Sequence, residues 1–128
     1  MAITNTFTST LQQLDANGQT LARRVASSSD TAGTVGEFRS GNLTDTNQAT
    51  ISLPVAQVRQ VWVRNTDTAG NITVVWTPTT GAEVTAAVIG PQDQIMLWHT
   101  NTGATFGVST LKLTASVANT TYELYVGG

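Results

Sequence analysis

Short segments of alternating apolar and polar residues, separated by turn residues, constrain the fold of this chain more than any other feature. From Val58 onward they occupy residues 59–64, 72–77, 83–89, 94–99, 108–116 and 122–126. Gly, Pro, Asn and Asp residues interrupt them at 67–71, 78–81, 90–93 and 101–103. A period of two indicates half-buried strands, and no helical segment separates these. The pattern therefore predicts an all-β protein, an antiparallel β-sandwich or a jelly-roll-like barrel.

The composition favours the same fold class. The chain contains 24 Thr, 13 Val and 5 Ile among 128 residues, and these β-branched side chains pack well on a pleated surface. Charged residues make up only 11%, against about a quarter in an average globular domain. The length is typical of one domain with a core of its own.

The N-terminal segment, residues 3–26, supports two interpretations. Six apolar residues fall at helical spacing, but four Thr alternate with other residues from position 4 to position 10. Asp15-Ala16-Asn17-Gly18 is a hairpin signal, and Thr is a poor helix former. We therefore favour two extended strands joined at Asn17-Gly18, with an amphipathic helix as the alternative. The apolar residues in question are Ile3, Phe7, Leu11, Leu14, Leu21 and Val25.

Residues 27–50 are rich in Ser, Thr, Gly and Asn and contain few apolar side chains. Such a stretch is typical of a long surface loop, or of an arm that becomes ordered on a partner, with a short strand at residues 35–39 as an alternative within it. The sequence thus predicts one domain with two parts. Residues 1–50 form an N-terminal arm or hairpin and a long loop, and residues 51–128 form the β-sandwich core.

Catalytic and metal-binding chemistry finds little support. The chain has no cysteine, which excludes disulfides, thiolate metal sites and thiol catalysis. His99 is the only histidine, at the end of an apolar strand, and no Gly-x-Ser-x-Gly motif accompanies it. The eight carboxylates are scattered through the sequence. We expect no catalytic residues, no metal site and no cofactor, and therefore not an enzyme.

The charge and hydropathy of the chain also exclude some partners. A net charge of −2 with six basic residues gives no electrostatic surface for nucleic acid. No apolar run approaches the roughly 20 residues that a membrane-spanning helix needs. The segment from Met1 to Thr6 has neither a basic region nor an apolar region, so we expect no signal peptide.

The aromatic residues supply the candidate binding site. Trp76 shares its face with Ile72 and Val74, which predicts a place in the core. Trp62 lies opposite Val61 and Val63 in the alternation, which predicts an outward side chain. An exposed Trp is either an anchor in a protein interface or a platform for a carbohydrate. We predict a partner-binding surface at Trp62, Arg64 and Tyr125, and Tyr122 is a further candidate in the carbohydrate alternative.

Five segments in the second half resemble small virion structural proteins of tailed bacteriophages. They are VWVRN at 61–65, ITVVWTP at 72–78, IGPQD at 89–93, LKLTAS at 111–116 and YELYVGG at 122–128. The resemblance covers roughly half of the chain. It implies a β-sandwich, often trimeric, that sits on a capsid shell as a decoration (cement) protein or lies within a tail or its fibres.

The resemblance sets three functional expectations. The first is a capsid decoration protein that binds the major capsid protein as a homo-oligomer, with a trimer favoured. The second is a tail, neck or fibre-attachment protein. In both, the chain is made in the host cytoplasm and located in the virion, and no small-molecule substrate is expected. The alternative of another class is a carbohydrate-binding module.

Overall fold

The computed structural model describes residues 3–33, 35–98 and 107–128, and these contain ten strands and no helix. Two strands form a separate ribbon and eight form two four-stranded sheets, with all pairs antiparallel. The strands are β1 (Ile3–Leu14), β2 (Thr20–Gly33), β3 (Gly36–Leu43), β4 (Ala49–Ile51), β5 (Gln60–Asn65), β6 (Ile72–Pro78), β7 (Val84–Ile89), β8 (Gln94–Trp98), β9 (Val108–Ala115) and β10 (Thr120–Gly127).

The eight strands β3 to β10 have jelly-roll connectivity. The first sheet has the order β3-β10-β5-β8, and the second has the order β4-β9-β6-β7. The first of the eight strands therefore pairs with the last, the second with the seventh, the third with the sixth and the fourth with the fifth. This is the arrangement of a double-sheet jelly roll. The predicted antiparallel β-sandwich is confirmed, and the described strands form two sheets that do not close into a barrel.

The core lies between the two sheets. Its centre consists of aliphatic side chains, which alternate with outward-facing residues along β5 and along most of β9, as in a typical sandwich. On β5, Val61 and Val63 are buried, while Trp62 between them and Arg64 after them are only half-buried. Fully buried members from the second sheet include Ile72, Leu111 and Leu113. The alternation that predicted the fold thus also determines which side chains face outward.

The hairpin favoured for residues 3–26 is present, and it extends further than predicted, to Gly33. We call this β1–β2 ribbon the arm. Its turn is held by Asp15, whose side chain accepts hydrogen bonds from the backbone amides of Asn17 (2.8 Å) and Gln19 (2.9 Å). Gly18 has a φ of +81°, in the left-handed region that Gly adopts without strain. The Asn17-Gly18 signal therefore identified the turn correctly.

Residues 27–50 differ from the predicted long loop. The strand β2 continues to Gly33, and β3 and β4 then occupy most of the segment up to Ile51. β3 pairs along its whole length with β10, and β4 pairs with β9, so the strands of the sandwich begin at Gly36. The prediction was wrong because these strands lie at the sheet edges, where few apolar side chains are needed. Two other expectations, His99 at a strand end and a turn at 101–103, lie outside the described residues.

Candidate interaction surface

Four large side chains form a row across the outer face of the first sheet. Cross-strand pairing places Tyr125 of β10 opposite both Phe38 of β3 and Trp62 of β5, and Trp62 opposite Met96 of β8. Directly opposite residues share a face of the sheet. We call Phe38, Tyr125, Trp62 and Met96 the aromatic row. It crosses all four strands of the sheet at one level.

The inner members of the row are fixed and the outer end is exposed. The Trp62 indole Nε1 donates a hydrogen bond to Gln94 Oε1 at 2.8 Å, which sets the orientation of the ring. Tyr125 is only 8% exposed, and its ring centroid lies 4.6 Å from that of Phe38. Phe38, in contrast, is 80% exposed. A partner that covered the exposed ring of this tilted aromatic pair would bury apolar surface, which favours binding.

The position of the Tyr125 ring requires glycine at Gly36 of the neighbouring strand β3 and at Gly127 of β10 itself. A Cβ on Gly36 would lie 2.6 Å from the Tyr125 hydroxyl oxygen, and one on Gly127 would lie 2.8 Å from it. Both distances are shorter than non-bonded atoms tolerate. These two glycines therefore let the tyrosine lie along the sheet instead of standing away from it.

A polar row lies next to the aromatic row on the same outer face. Glu123 of β10 is opposite Ser40 of β3 and Arg64 of β5, and Arg64 is opposite Gln94 of β8. The Arg64 Nη1 and Glu123 Oε2 atoms are 3.8 Å apart, with both side chains more than 40% exposed. Such a loose exposed pair contributes little stability. Both groups retain hydrogen-bonding capacity for a partner.

The base of the arm lies over the aromatic row. A cavity of about 370 Å³ is lined by Thr4, Thr6 and Phe7 of β1 together with the four row residues. A second recess, of about 350 Å³, is lined by Phe38, Trp62, Arg39, Ser40 and Glu123. Volumes of this size are at the lower end of the range for ligand-binding pockets, about 300–1,000 Å³.

Beyond its base, the arm exposes apolar side chains on both of its faces. Leu11 is 76% exposed and Leu21 is 62% exposed, and Leu14 and Val25 are also more than half exposed. Neither β1 nor β2 pairs with another described strand, so each presents an unpaired edge. An isolated two-stranded ribbon is only marginally stable in water. The arm therefore lacks the packing that would hold it in this conformation.

The structure brings together the three residues predicted to bind a partner. Trp62, Arg64 and Tyr125 lie on one outer face, with Trp62 and Tyr125 directly opposite each other. Tyr122, considered for carbohydrate binding, does not join them. It lies on the other face of β10 and packs against the core, as does Trp76 from the second sheet. The prediction that Trp76 belongs to the core is confirmed.

Sequence reasoning missed Phe38 and Met96. Phe38 lies between Glu37 and Arg39, and an aromatic residue between two charged ones in a strand predicts the opposite face from the charges. In a sandwich that pattern places the aromatic ring in the core and the charges outside, whereas Phe38 is 80% exposed, so the local sequence does not indicate its place on the outer face. Met96 belongs to an apolar run whose two faces the sequence does not distinguish.

The described residues contain no group of three or more His, Asp or Glu residues that could hold a metal ion. They also contain no helix long and apolar enough to cross a membrane.

Comparisons with known proteins give no assignment for this chain. No family model matches it, and neither the curated proteins nor the solved structures include a match. The geometry of the outer face and of the arm is therefore the basis for any functional proposal.

Proposed function

We propose that this chain is a structural component of a protein assembly, and specifically a decoration protein that binds the major capsid protein of a tailed bacteriophage. The observation that carries the proposal is the arm. Its two strands, of 12 and 14 residues, expose four large aliphatic side chains to solvent when the chain is a monomer, and a two-stranded ribbon of this kind is only marginally stable. A neighbouring protein that covered it would supply the missing burial.

Two further features support a virion role. The jelly roll is a recurring architecture of viral capsid proteins, although it also occurs in lectins and other families, so this support is by analogy of fold alone. The aromatic row with Arg64 and Glu123 beside it has the composition of a protein interface, with aromatic anchors and a polar rim. Many copies on a shell would also make individually weak contacts effective through avidity.

Binding to capsids tests the proposal. Purified protein is mixed with capsids that lack decoration, and the shell is imaged at saturating protein. We expect stoichiometric density at repeated lattice positions. A Val88→Asp variant serves as the matched control, because Val88 is an exposed apolar residue of β7 in the second sheet and is remote in the fold from the arm and the row. Absence of bound protein under native conditions would refute the decoration role.

A tail, neck or fibre-attachment protein would use the same surfaces. Separation of heads from tails in intact particles, followed by detection of the protein in each fraction, distinguishes the two locations. Protein found in tails alone would exclude capsid decoration.

A carbohydrate-binding module is the second candidate function. The recess with Phe38, Trp62, Ser40, Arg39 and Glu123 favours it, since it combines exposed aromatic surface with hydrogen-bonding side chains. We expect a glycan array to show binding that Phe38→Ala abolishes if this candidate is correct. An array without binding, together with Phe38 buried in an assembly, would refute it.

A further inference from the structure

Two apolar surfaces of the same molecule are left partly exposed. The first consists of Leu11, Leu14, Leu21 and Val25 on the arm, and the second is the exposed end of the aromatic row with its cavity. Among the described residues, these side chains and Phe38 account for five of the eight large hydrophobic residues that are exposed. Exposed apolar patches of this kind mark interaction sites.

The outer face of the first sheet already accepts a β-ribbon. Thr4, Thr6 and Phe7 at the base of the arm line the same cavity as Phe38, Trp62, Met96 and Tyr125. At about 3.3 Å per residue, the 12 residues of β1 extend roughly 40 Å. Four strands about 4.8 Å apart make a sheet only some 15–20 Å wide. The arm is therefore long enough to pass its own sheet and reach another molecule.

The charges of the two surfaces are compatible. The arm carries Arg23 and Arg24, and neither forms an ion pair with another side chain in the described part of the chain. The outer face carries Glu123, whose contact with Arg64 at 3.8 Å is beyond hydrogen-bonding range. An incoming arginine would find an acceptor there.

We propose that the arm of one copy seats on the aromatic row of a second copy, so that the leucines of one molecule cover Phe38 and the cavity of the next. The interface is heterologous, because the arm of each molecule meets the outer face of another, and such contacts build rings or open chains. This inference rests on the proposed role in an assembly and identifies the partner that covers these surfaces as the chain itself.

Complementation between two defective variants tests the proposal. The arm variant carries Leu11→Asp and Leu21→Asp, one substitution on each strand of the ribbon. The row variant carries Phe38→Asp. Burial of each leucine raises the association constant by a factor of about ten or more, so we expect the association constant of the arm variant to fall by about a hundredfold. Each variant alone should remain a monomer of 13.5 kDa in light scattering and native mass spectrometry.

An equimolar mixture of the two variants should form a one-to-one complex. The row variant still has an intact arm, and the arm variant still has an intact row, so one functional contact remains. Contact between two arms would instead let the row variant associate with itself, and contact between two rows would let the arm variant associate with itself. The Val88→Asp variant should associate like the wild type. In a second pair, Arg23→Glu with Arg24→Glu should weaken association and Glu123→Arg in the other molecule should restore it, with only exposed or half-exposed side chains changed.

Three results would overturn the inference. They are a wild-type chain that is monomeric up to about 100 μM, a mixture of arm and row variants that does not associate, and a Val88→Asp variant that is as defective as the row variant. Capsids are absent from these measurements. A monomeric chain that still decorates capsids would refute the inference alone, and an oligomer that never binds capsids would refute the decoration role alone.

Discussion

Replacement of Asn65 by Ala should destabilise the sandwich strongly. Asn65 is fully buried at the end of β5, and its Nδ2 donates hydrogen bonds to the backbone oxygens of Gly70 (2.7 Å) and Ile89 (3.2 Å). Its Oδ1 accepts a hydrogen bond from the backbone amide of Asp67 at 3.0 Å. One side chain thus joins the first sheet to the turn before β6 and to the end of β7.

The magnitude can be worked out from the number of groups that lose a partner. Three hydrogen bonds at about 1 kcal/mol each give about 3 kcal/mol, and more if the buried carbonyl of Gly70 receives no water. For a chain of this length, that loss lowers the Tm by roughly 10 °C. The assay is urea and thermal unfolding followed by circular dichroism at a protein concentration low enough to avoid linkage to association.

A matched substitution separates this network from general effects of losing an amide. Asn71 is exposed, and Asn71→Ala should change the free energy of unfolding by less than about 0.5 kcal/mol. A loss below about 1 kcal/mol for Asn65→Ala would show that the buried amide does not connect the sheets in the way described.

Three further predictions concern single positions. Gly107→Ala should destabilise the fold by more than about 1 kcal/mol, since Gly107 has a φ of +124° and a Cβ there would lie 2.8 Å from the backbone oxygen of Val58. Gly90→Ala, with no atom near the added Cβ, should be neutral in the same unfolding assay, and equal effects would contradict this reasoning. Leu111→Ala should cost about 2–5 kcal/mol in urea unfolding because Leu111 is 0% exposed, and a loss under about 1 kcal/mol would place it outside the core. Hydrogen bonds from the backbone amides of Gly70 and Ala69 hold the pKa of Asp67 below its ordinary value of 3.8, so its stabilising contribution is present above pH 3.8 and is lost as the pH falls through the lower folded-state pKa. The stability difference between wild type and Asp67→Asn should therefore shrink in acid, and a difference independent of pH would refute this assignment.

The second half of the fold was predictable from the sequence because each strand there contributes one face to the core. The alternation of Val61 and Val63 with Trp62 and Arg64 gave both the strand and its outward side chains. The turn at Asn17-Gly18 was equally readable, since the need for positive φ at Gly18 is local.

The remaining features depend on contacts between distant parts of the chain. The apolar residues on the arm lie on both faces of the ribbon. They therefore do not follow the period of two expected for a strand with one buried face, and their spacing resembles that of a helix. Gly41 resembled a loop residue in the sequence. In the structure, a Cβ there would lie 2.5 Å from the ring of Tyr122, so this glycine makes room for a side chain from the distant end of the sequence. No local pattern indicates such a requirement.

The candidate site was predictable only in part, because it too depends on the pairing of strands that are distant in the sequence. Trp62, Arg64 and Tyr125 were identified as outward or interfacial residues, and the pairing of β5 with β10 places them together. That pairing also determines that Tyr122, only three residues from Tyr125, faces the core. Phe38 joined the site only because β3, an edge strand with few apolar residues, pairs with β10.

Hydrogen exchange along the arm tests most directly whether this molecule is completed by a neighbour. Amides of residues 3–33 in the monomeric Phe38→Asp variant should exchange rapidly with solvent, as expected of a marginally stable ribbon, while amides of the sandwich strands remain protected. In the associated wild-type protein, the same arm amides should gain protection. An arm that is as well protected as the sandwich in the monomeric variant would contradict the claim that it needs a partner.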